Sequence, residues 1–272
     1  MSGLIGIPLL LILVFVKEGF PFIIAVGLMS LIALNEFYRG IRRTGADPQE
    51  WVGLCSAVLF LYAACHEFKE WFRLPAVLSL FVVATLSYEM VRKNRNPIKN
   101  IGSTFLGVVY VGWLFSYLVA LRSIQGVVHP DGIHWTVSTG AWMVLYVVFV
   151  AWAADSGAYF VGRKFGKHKL TPVLSPNKSW EGAIAGLVSA VVMSGLMGHT
   201  IGISWINIVI IGIGICIVSI IGDLAESSIK RDIGIKDFGG ILPGHGGILD
   251  RFDGLLFAAP LFYYYIKLFL GY

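Results

Sequence analysis

Nine apolar runs limit what this chain can fold into: residues 4–16, 20–34, 51–65, 72–88, 104–121, 135–154, 182–203, 204–222 and 254–270. A helix needs about 20 apolar residues to cross the hydrocarbon core, and only helices or closed barrels satisfy their backbone polar groups there. The runs predict an all-α polytopic membrane protein with about nine transmembrane helices. Eight or ten also fit, because the first three runs are short and the seventh and eighth could form a hairpin or re-entrant element. Composition agrees: 57% of residues are hydrophobic and 14% charged, with mean hydropathy +0.77, whereas soluble domains carry about 25% charged residues. No basic segment precedes the first run and no A-x-A-like site follows it, so it reads as a membrane segment and not a signal peptide. Cys55, Cys65 and Cys216 lie in or beside apolar runs without metal-ligand spacing and read as small buried hydrophobes.

The basic residues test the span count independently. Arg39, Arg42 and Arg43 follow span two; Arg92, Lys93, Arg95 and Lys99 follow span four. Arg163, Lys164, Lys167, Lys169 and Lys178 follow span six; Lys230, Arg231, Lys236 and Arg251 follow span eight. The other parity holds only Lys17, Lys69, Arg73 and Arg122, with Lys267 inside the last span. By the positive-inside rule the N-terminus is cytoplasmic and the C-terminus outside. The net charge of +5 then belongs to a membrane surface, and no nucleic-acid partner is expected. Two segments, 155–181 and 223–253, are long, rich in Gly, Pro and charge, and of cytoplasmic parity. The chain therefore reads as an N-terminal transmembrane scaffold, 1–150, and a C-terminal catalytic region, 151–272, whose chemistry sits in those two loops.

If span eight continues as a helix, Asp223, Glu226, Ser227 and Lys230 fall at i, i+3, i+4 and i+7 on one face. Asp250 and Asp253, again at i, i+3, open the last span. Ionisable groups beside hydrocarbon are costly and mark a function or a partner. Carboxylates this close repel unless a cation lies between them, and hard oxygen donors suit Mg²⁺. The bland alternative is a set of juxtamembrane ion pairs, and two acidic pairs flanking a glycine-rich loop favour the cation. That loop carries five glycines over 239–247; its backbone amides can approach phosphate oxygens, with Lys236 or His245 adding charge. In the upstream loop, Lys178 and Ser179 sit at the start of span seven, where an anion also feels the helix N-terminus. Arg163, Lys164, Lys167 and Lys169 read as headgroup-facing charges. The loop is not a Walker A motif, whose G-x-x-x-x-G-K-S/T spacing is absent.

Gly182, Gly186, Ala190, Ser194 and Gly198 recur every four residues along span seven. Such a stripe lets another helix approach closely, in the same chain or in a second copy.

The runs SIKRD (228–232), KD (236–237) and LPGHGGILDRFD (242–253) resemble the C-terminal motif of the CDP-diacylglycerol synthases, or phosphatidate cytidylyltransferases. SPNKSWEG (175–182), within 155–182, resembles the same family's upstream segment. Together they cover about a fifth of the chain. The resemblance implies a metal-dependent nucleotidyltransferase that makes CDP-diacylglycerol and pyrophosphate from CTP and phosphatidate. It implies Mg²⁺ on Asp223 and Asp250, with Asp253 and Glu226 as further ligands, and two-metal logic admits a second cation. Lys178, Lys230, Arg231, Lys236 and Arg251 are expected to hold the lipid phosphate and the leaving pyrophosphate. Asp155, Glu181 and Asp237 are expected to orient those cations. Ser175, Ser179, His245, Gly246 and Gly247 are expected around the nucleotide or its phosphates. The family resemblance and the small-residue stripe also point to a homodimer, and the small size to a bacterial inner membrane with the site facing the cytoplasm. An ion-coupled transporter, with Asp223 and Asp250 as relays, is the rival reading. A CDP-alcohol phosphatidyltransferase lacks its D-G-x-x-A-R motif here, and a non-enzymatic scaffold leaves the charged loops unexplained.

Overall fold

The computed structural model describes residues 2–68, 73–93, 95–132, 136–172, 174–240 and 246–272. Ten α-helices carry the described chain: α1 Ser2–Phe15, α2 Phe20–Ile41, α3 Glu50–Cys65, α4 Arg73–Val91, α5 Pro97–Gly107, α6 Leu114–Arg122, α7 Thr139–Phe165, α8 Trp180–His199, α9 Trp205–Ile233 and α10 Leu249–Tyr265. A π-helical stretch, Val108–Trp113, joins α5 to α6, so the two form one 26-residue apolar span. The only strands among the described residues are two short antiparallel pairs, β1 Val127–Val128 with β2 Val137–Ser138, and β3 Lys169–Thr171 with β4 Ser175–Ser179. Seven described helices are long and apolar enough to cross a membrane, and Glu50–Cys65 is a shorter apolar helix. The chain is therefore an all-α polytopic membrane protein, and every one of the nine expected spans overlaps a helix.

Two expected loops are shorter than the sequence suggested. Helix α7 continues through Asp155 to Phe165, and α9 continues through Asp223 to Ile233. Loss of apolar character therefore marks the end of the hydrocarbon layer and not the end of the helix. Arg163 and Lys164 fall in the last turn of α7, and Lys230 and Arg231 in that of α9, where cations complement the exposed carbonyls. The connectors proper are 166–179 and 234–248.

Packing divides the chain into two compact units, one of residues 1–123 with 232–252 and one of 124–231 with 253–272. Residues 232–252 of the second charged segment fall in the first unit, and 223–231 in the second.

In the first unit, α2 buries Phe22, Val26, Ala33, Leu34, Phe37 and Tyr38 and exposes Ile24, Leu28 and Ile32 at four-residue spacing. That is the pattern of one face on protein and one on lipid. Its polar ends are tied by Glu89, 3% exposed. The Glu89 carboxylate accepts from Gln49 Nε2 at 2.8 Å, Asn100 Nδ2 at 2.8 Å and Arg92 at 3.3 Å. A buried acid so fully satisfied rigidifies what it joins, here α3, α4 and α5.

In the second unit, the small-residue stripe of α8 lies buried while Ile184, Val188, Val192 and Leu196 are exposed. The partner of the stripe is α7 of the same chain. A Cβ placed on Gly182 would lie 2.8 Å from the Ala158 carbonyl, and one on Gly186 the same distance from that of Ala154. Ser194 links three helices: its Oγ lies 2.7 Å from Tyr146 Oη on α7 and donates to the Ile208 carbonyl of α9 at 2.7 Å. The stripe is consumed within the chain and does not itself call for a second copy. Gly186→Leu is expected to force α7 and α8 apart. Overpacking of this kind costs about 1–3 kcal/mol, which should lower the thermal midpoint in detergent by several degrees, while Ala183→Leu at a neighbouring position serves as comparison.

Candidate active site

The second unit gathers most of the charged residues expected from the two motifs. The β3–β4 hairpin delivers the chain to α8, and Ser179 caps it: its Oγ accepts the Gly182 N–H at 3.2 Å, with Ser179 itself in an extended conformation. An N-cap of this type contributes about 1 kcal/mol. The Ser179 hydroxyl, expected at the nucleotide, is thus engaged in starting a helix, although it also lines the cavity described below. Glu181 ties the hairpin down through His168, whose Nδ1 lies 2.6 Å from Glu181 Oε1 and whose N–H donates to the same carboxylate at 3.2 Å. Its side-chain partner here is His168.

With the hairpin anchored, Lys178 reaches α9. Its Nζ forms a 2.8 Å ion pair with Asp223 Oδ2 and donates to the Ile220 carbonyl at 3.4 Å. Ser227 Oγ donates to the other Asp223 oxygen at 3.3 Å, and Lys230 Nζ pairs with Glu226 Oε2 at 2.7 Å. These i, i+4 contacts confirm that Asp223, Glu226, Ser227 and Lys230 share one helical face. On α10, Asp253 Oδ1 accepts its neighbour Gly254 N–H at 2.7 Å, and the Asp253 and Glu226 side chains hydrogen bond to each other. Asp155 on α7 interacts electrostatically with Asp253, Asp223 and Lys178.

Four carboxyl groups, those of Asp155, Asp223, Glu226 and Asp253, thus stand against the ammonium groups of Lys178 and Lys230. When all are ionised, two negative charges are in excess. Two carboxylates at hydrogen-bond distance must share a proton or a cation, so the donor chemistry fits a hard divalent ion. Among the described residues, however, no three Asp, Glu, His or Cys side chains already surround one point at ligand geometry.

Beside this cluster opens a cavity of about 670 Å³, lined by Asp155, Tyr159, Arg163, Lys169, Ser175, Asn177, Lys178, Ser179 and Asp223 with apolar Leu170, Ala183 and Ile220. Its size falls within the range of small-molecule sites. Arg163 and Lys169, read from sequence as headgroup-facing charges, thus line the same space. Asn177 and Ser219 also line it and were not singled out beforehand. Asn177 lies inside the SPNKSWEG run and could have been found there; Ser219, within an apolar span, gives no such signal.

The first unit holds the rest. Asp250 Oδ2 accepts the N–H groups of Phe238 at 3.0 Å and Gly247 at 2.9 Å, so it binds both flanks of the glycine-rich loop. A Cβ on Gly246, at φ +81°, would sit 3.2 Å from the Asp250 carboxylate and 3.5 Å from that of Asp237. Lys236 and Arg251 are exposed. Arg231, at the end of α9 in the second unit, is exposed as well. His245 lies outside the described residues. An acid that sequence reasoning passed over, Glu36, stands beneath this loop. A carboxylate just beyond the apolar run of α2 was its available signal.

The sequence profile of the cytidylyltransferase family matches residues 1–269. The phosphatidate cytidylyltransferase of Bacillus subtilis is 34% identical over 273 residues, covering 99% of this chain and 97% of its own. That of Synechocystis is 34% identical over 290 aligned residues, covering 99% and 96%. That of Staphylococcus haemolyticus is 36% identical over 262, covering 95% and 92%.

Proposed function

The chain belongs to the cytidylyltransferase family and is thus a membrane-embedded nucleotidyltransferase; from that premise we propose that it converts CTP and phosphatidate into CDP-diacylglycerol and pyrophosphate for phospholipid synthesis, on the cytoplasmic face of a bacterial inner membrane. The observation that carries this reading is the Lys178–Asp223 pair at the rim of a polar cavity, within motifs that resemble the same family. No observation favours the ion-coupled transporter.

In the proposed reaction a phosphatidate oxygen attacks the α-phosphorus of CTP. The new P–O bond forms as the bond to the β-phosphate bridging oxygen breaks, and pyrophosphate leaves with that electron pair. The attacking phosphate is already anionic at neutral pH, so no general base is needed. The protein has to bring two anions together in line and offset their charge. Lys178 meets incoming phosphate oxygens from the hairpin side, and Lys230 supports it from α9. Arg231, Lys236 and Arg251 would hold the lipid phosphate and the leaving group. Asp223, Glu226 and Asp253 would supply carboxylate oxygens to Mg²⁺, whose chemistry when bound would be to offset phosphate charge as a Lewis acid. Asp155 orients Lys178 electrostatically. Asp250, also assigned to the cation by resemblance, has a second task in organising the loop flanks beside Asp237, Gly246 and Gly247. Two-metal logic adds a second cation to the proposal, and the family resemblance adds a homodimer.

Purified protein incubated with labelled CTP, phosphatidate and Mg²⁺ should form labelled CDP-diacylglycerol, and omission of any one component should abolish it. Turnover that persists in excess EDTA would remove the metal from the account. Failure to form product with all three present would remove the reaction.

A further inference from the structure

We infer that Glu36 of α2 is a positioning residue that sets the geometry of the glycine-rich loop and the start of α10; the inference rests on the proposed reaction for its catalytic consequence but not for its structural one. Glu36 is only 4% exposed. Its Oε2 accepts the N–H of Ile248 at 2.9 Å and of Leu249 at 3.2 Å. These groups open α10, so a carboxylate more than 200 residues away in sequence does the work usually done by a local cap. The charge also complements the positive end of that helix.

The loop is fitted to this carboxylate from both sides. A Cβ on Gly247 would lie 2.5 Å from Glu36 Oε2, and one on Gly239 would collide with Oε1. Two of the loop's glycines are therefore explained by close approach to Glu36. Neighbouring residues of α2 complete the platform: the Phe37 and Phe238 rings lie 5.6 Å apart, and Gly40 leaves room for Phe238 and Ile235. Asp250 joins the same two flanks from the other direction. Glu36 thus braces from below the backbone that Asp250 braces from within, and neither it nor α2 belongs to the motifs from which the reaction is inferred.

The test combines kinetics with hydrogen–deuterium exchange on the purified full chain. Glu36→Gln keeps the shape but replaces a charged acceptor by a neutral one, a difference of about 1–1.5 kcal/mol, or roughly tenfold. kcat is expected to fall about tenfold, with KM for CTP within about twofold and the thermal midpoint lowered by only a few degrees. Deuterium uptake should rise in peptides covering 234–240 and 246–250 but not in α7 and α8. Glu36→Ala should do more of the same, and where it fails to fold the Gln variant decides. A size exchange probes the contact itself: Gly247→Ala should lose most activity, and adding Glu36→Asp, which withdraws the carboxylate by one methylene, should restore part of it. Unchanged uptake in both loop peptides, or a fully active Gly247→Ala, overturns the inference. If the wild-type chain makes no CDP-diacylglycerol, the proposed reaction fails while the exchange data still decide what Glu36 does.

Discussion

Asp223→Asn is expected to reduce kcat by about 10³, the scale of removing one preorganised charge from a transition state. The substitution is nearly isosteric, so the packing of α9 should survive. What disappears is the negative charge facing Lys178 at 2.8 Å, one of the four carboxyl groups that give the cluster its excess. A partly exposed ion pair of this kind is worth only about 0–1 kcal/mol to stability. A large loss of turnover without a loss of folding would therefore separate chemistry from scaffolding. Ser227→Ala removes the 3.3 Å bond to the other Asp223 oxygen and should change kcat by no more than a few-fold. If Asp223→Asn turned over at near wild-type rate with saturating Mg²⁺, Asp223 would be a topological charge and the cluster would not be the catalytic centre.

The shared face of Asp223, Glu226, Ser227 and Lys230 was legible because their spacing follows the helical period, and α9 continues through all four. The membrane class was equally legible, because lipid imposes long uninterrupted apolar runs. The lengths of the loops were not, since hydropathy reports the edge of the bilayer and says nothing of where backbone hydrogen bonding stops. The stripe from Gly182 to Gly198 announced a close helix–helix contact but not its partner; only coordinates distinguish α7 from a second copy. Glu36 was missed for a related reason. Its partners are backbone N–H groups, which leave no trace in side-chain pattern, and the glycines it explains looked sufficient as a phosphate cradle. Ser179 caps α8 and Glu181 anchors the hairpin through His168, contacts that their sequence positions do not announce. Capping and hairpin anchoring employ the same residue types as anion binding, and sequence spacing alone does not separate them.

Lys178→Met should lower kcat/KM for CTP by about 10²–10³, because it takes from the cavity rim the ammonium group that meets Asp223 while leaving the aliphatic stem to pack. Lys178→Arg keeps the charge but replaces a compact ammonium by a planar fork. With Lys178 held between Asp223 Oδ2 and the Ile220 carbonyl, the longer group cannot keep both contacts, so an intermediate rate is expected. The decisive comparison is the double variant with Asp223→Asn. Residues that act as one unit are strongly non-additive, so the pair should be little worse than Asp223→Asn alone. Independent losses that multiply to about 10⁵ or more would mean that lysine and aspartate serve different steps. A Lys178→Met enzyme within about twofold of wild type would show that the lysine sets membrane topology, like its neighbours Lys164 and Lys167, and has no part in the transfer.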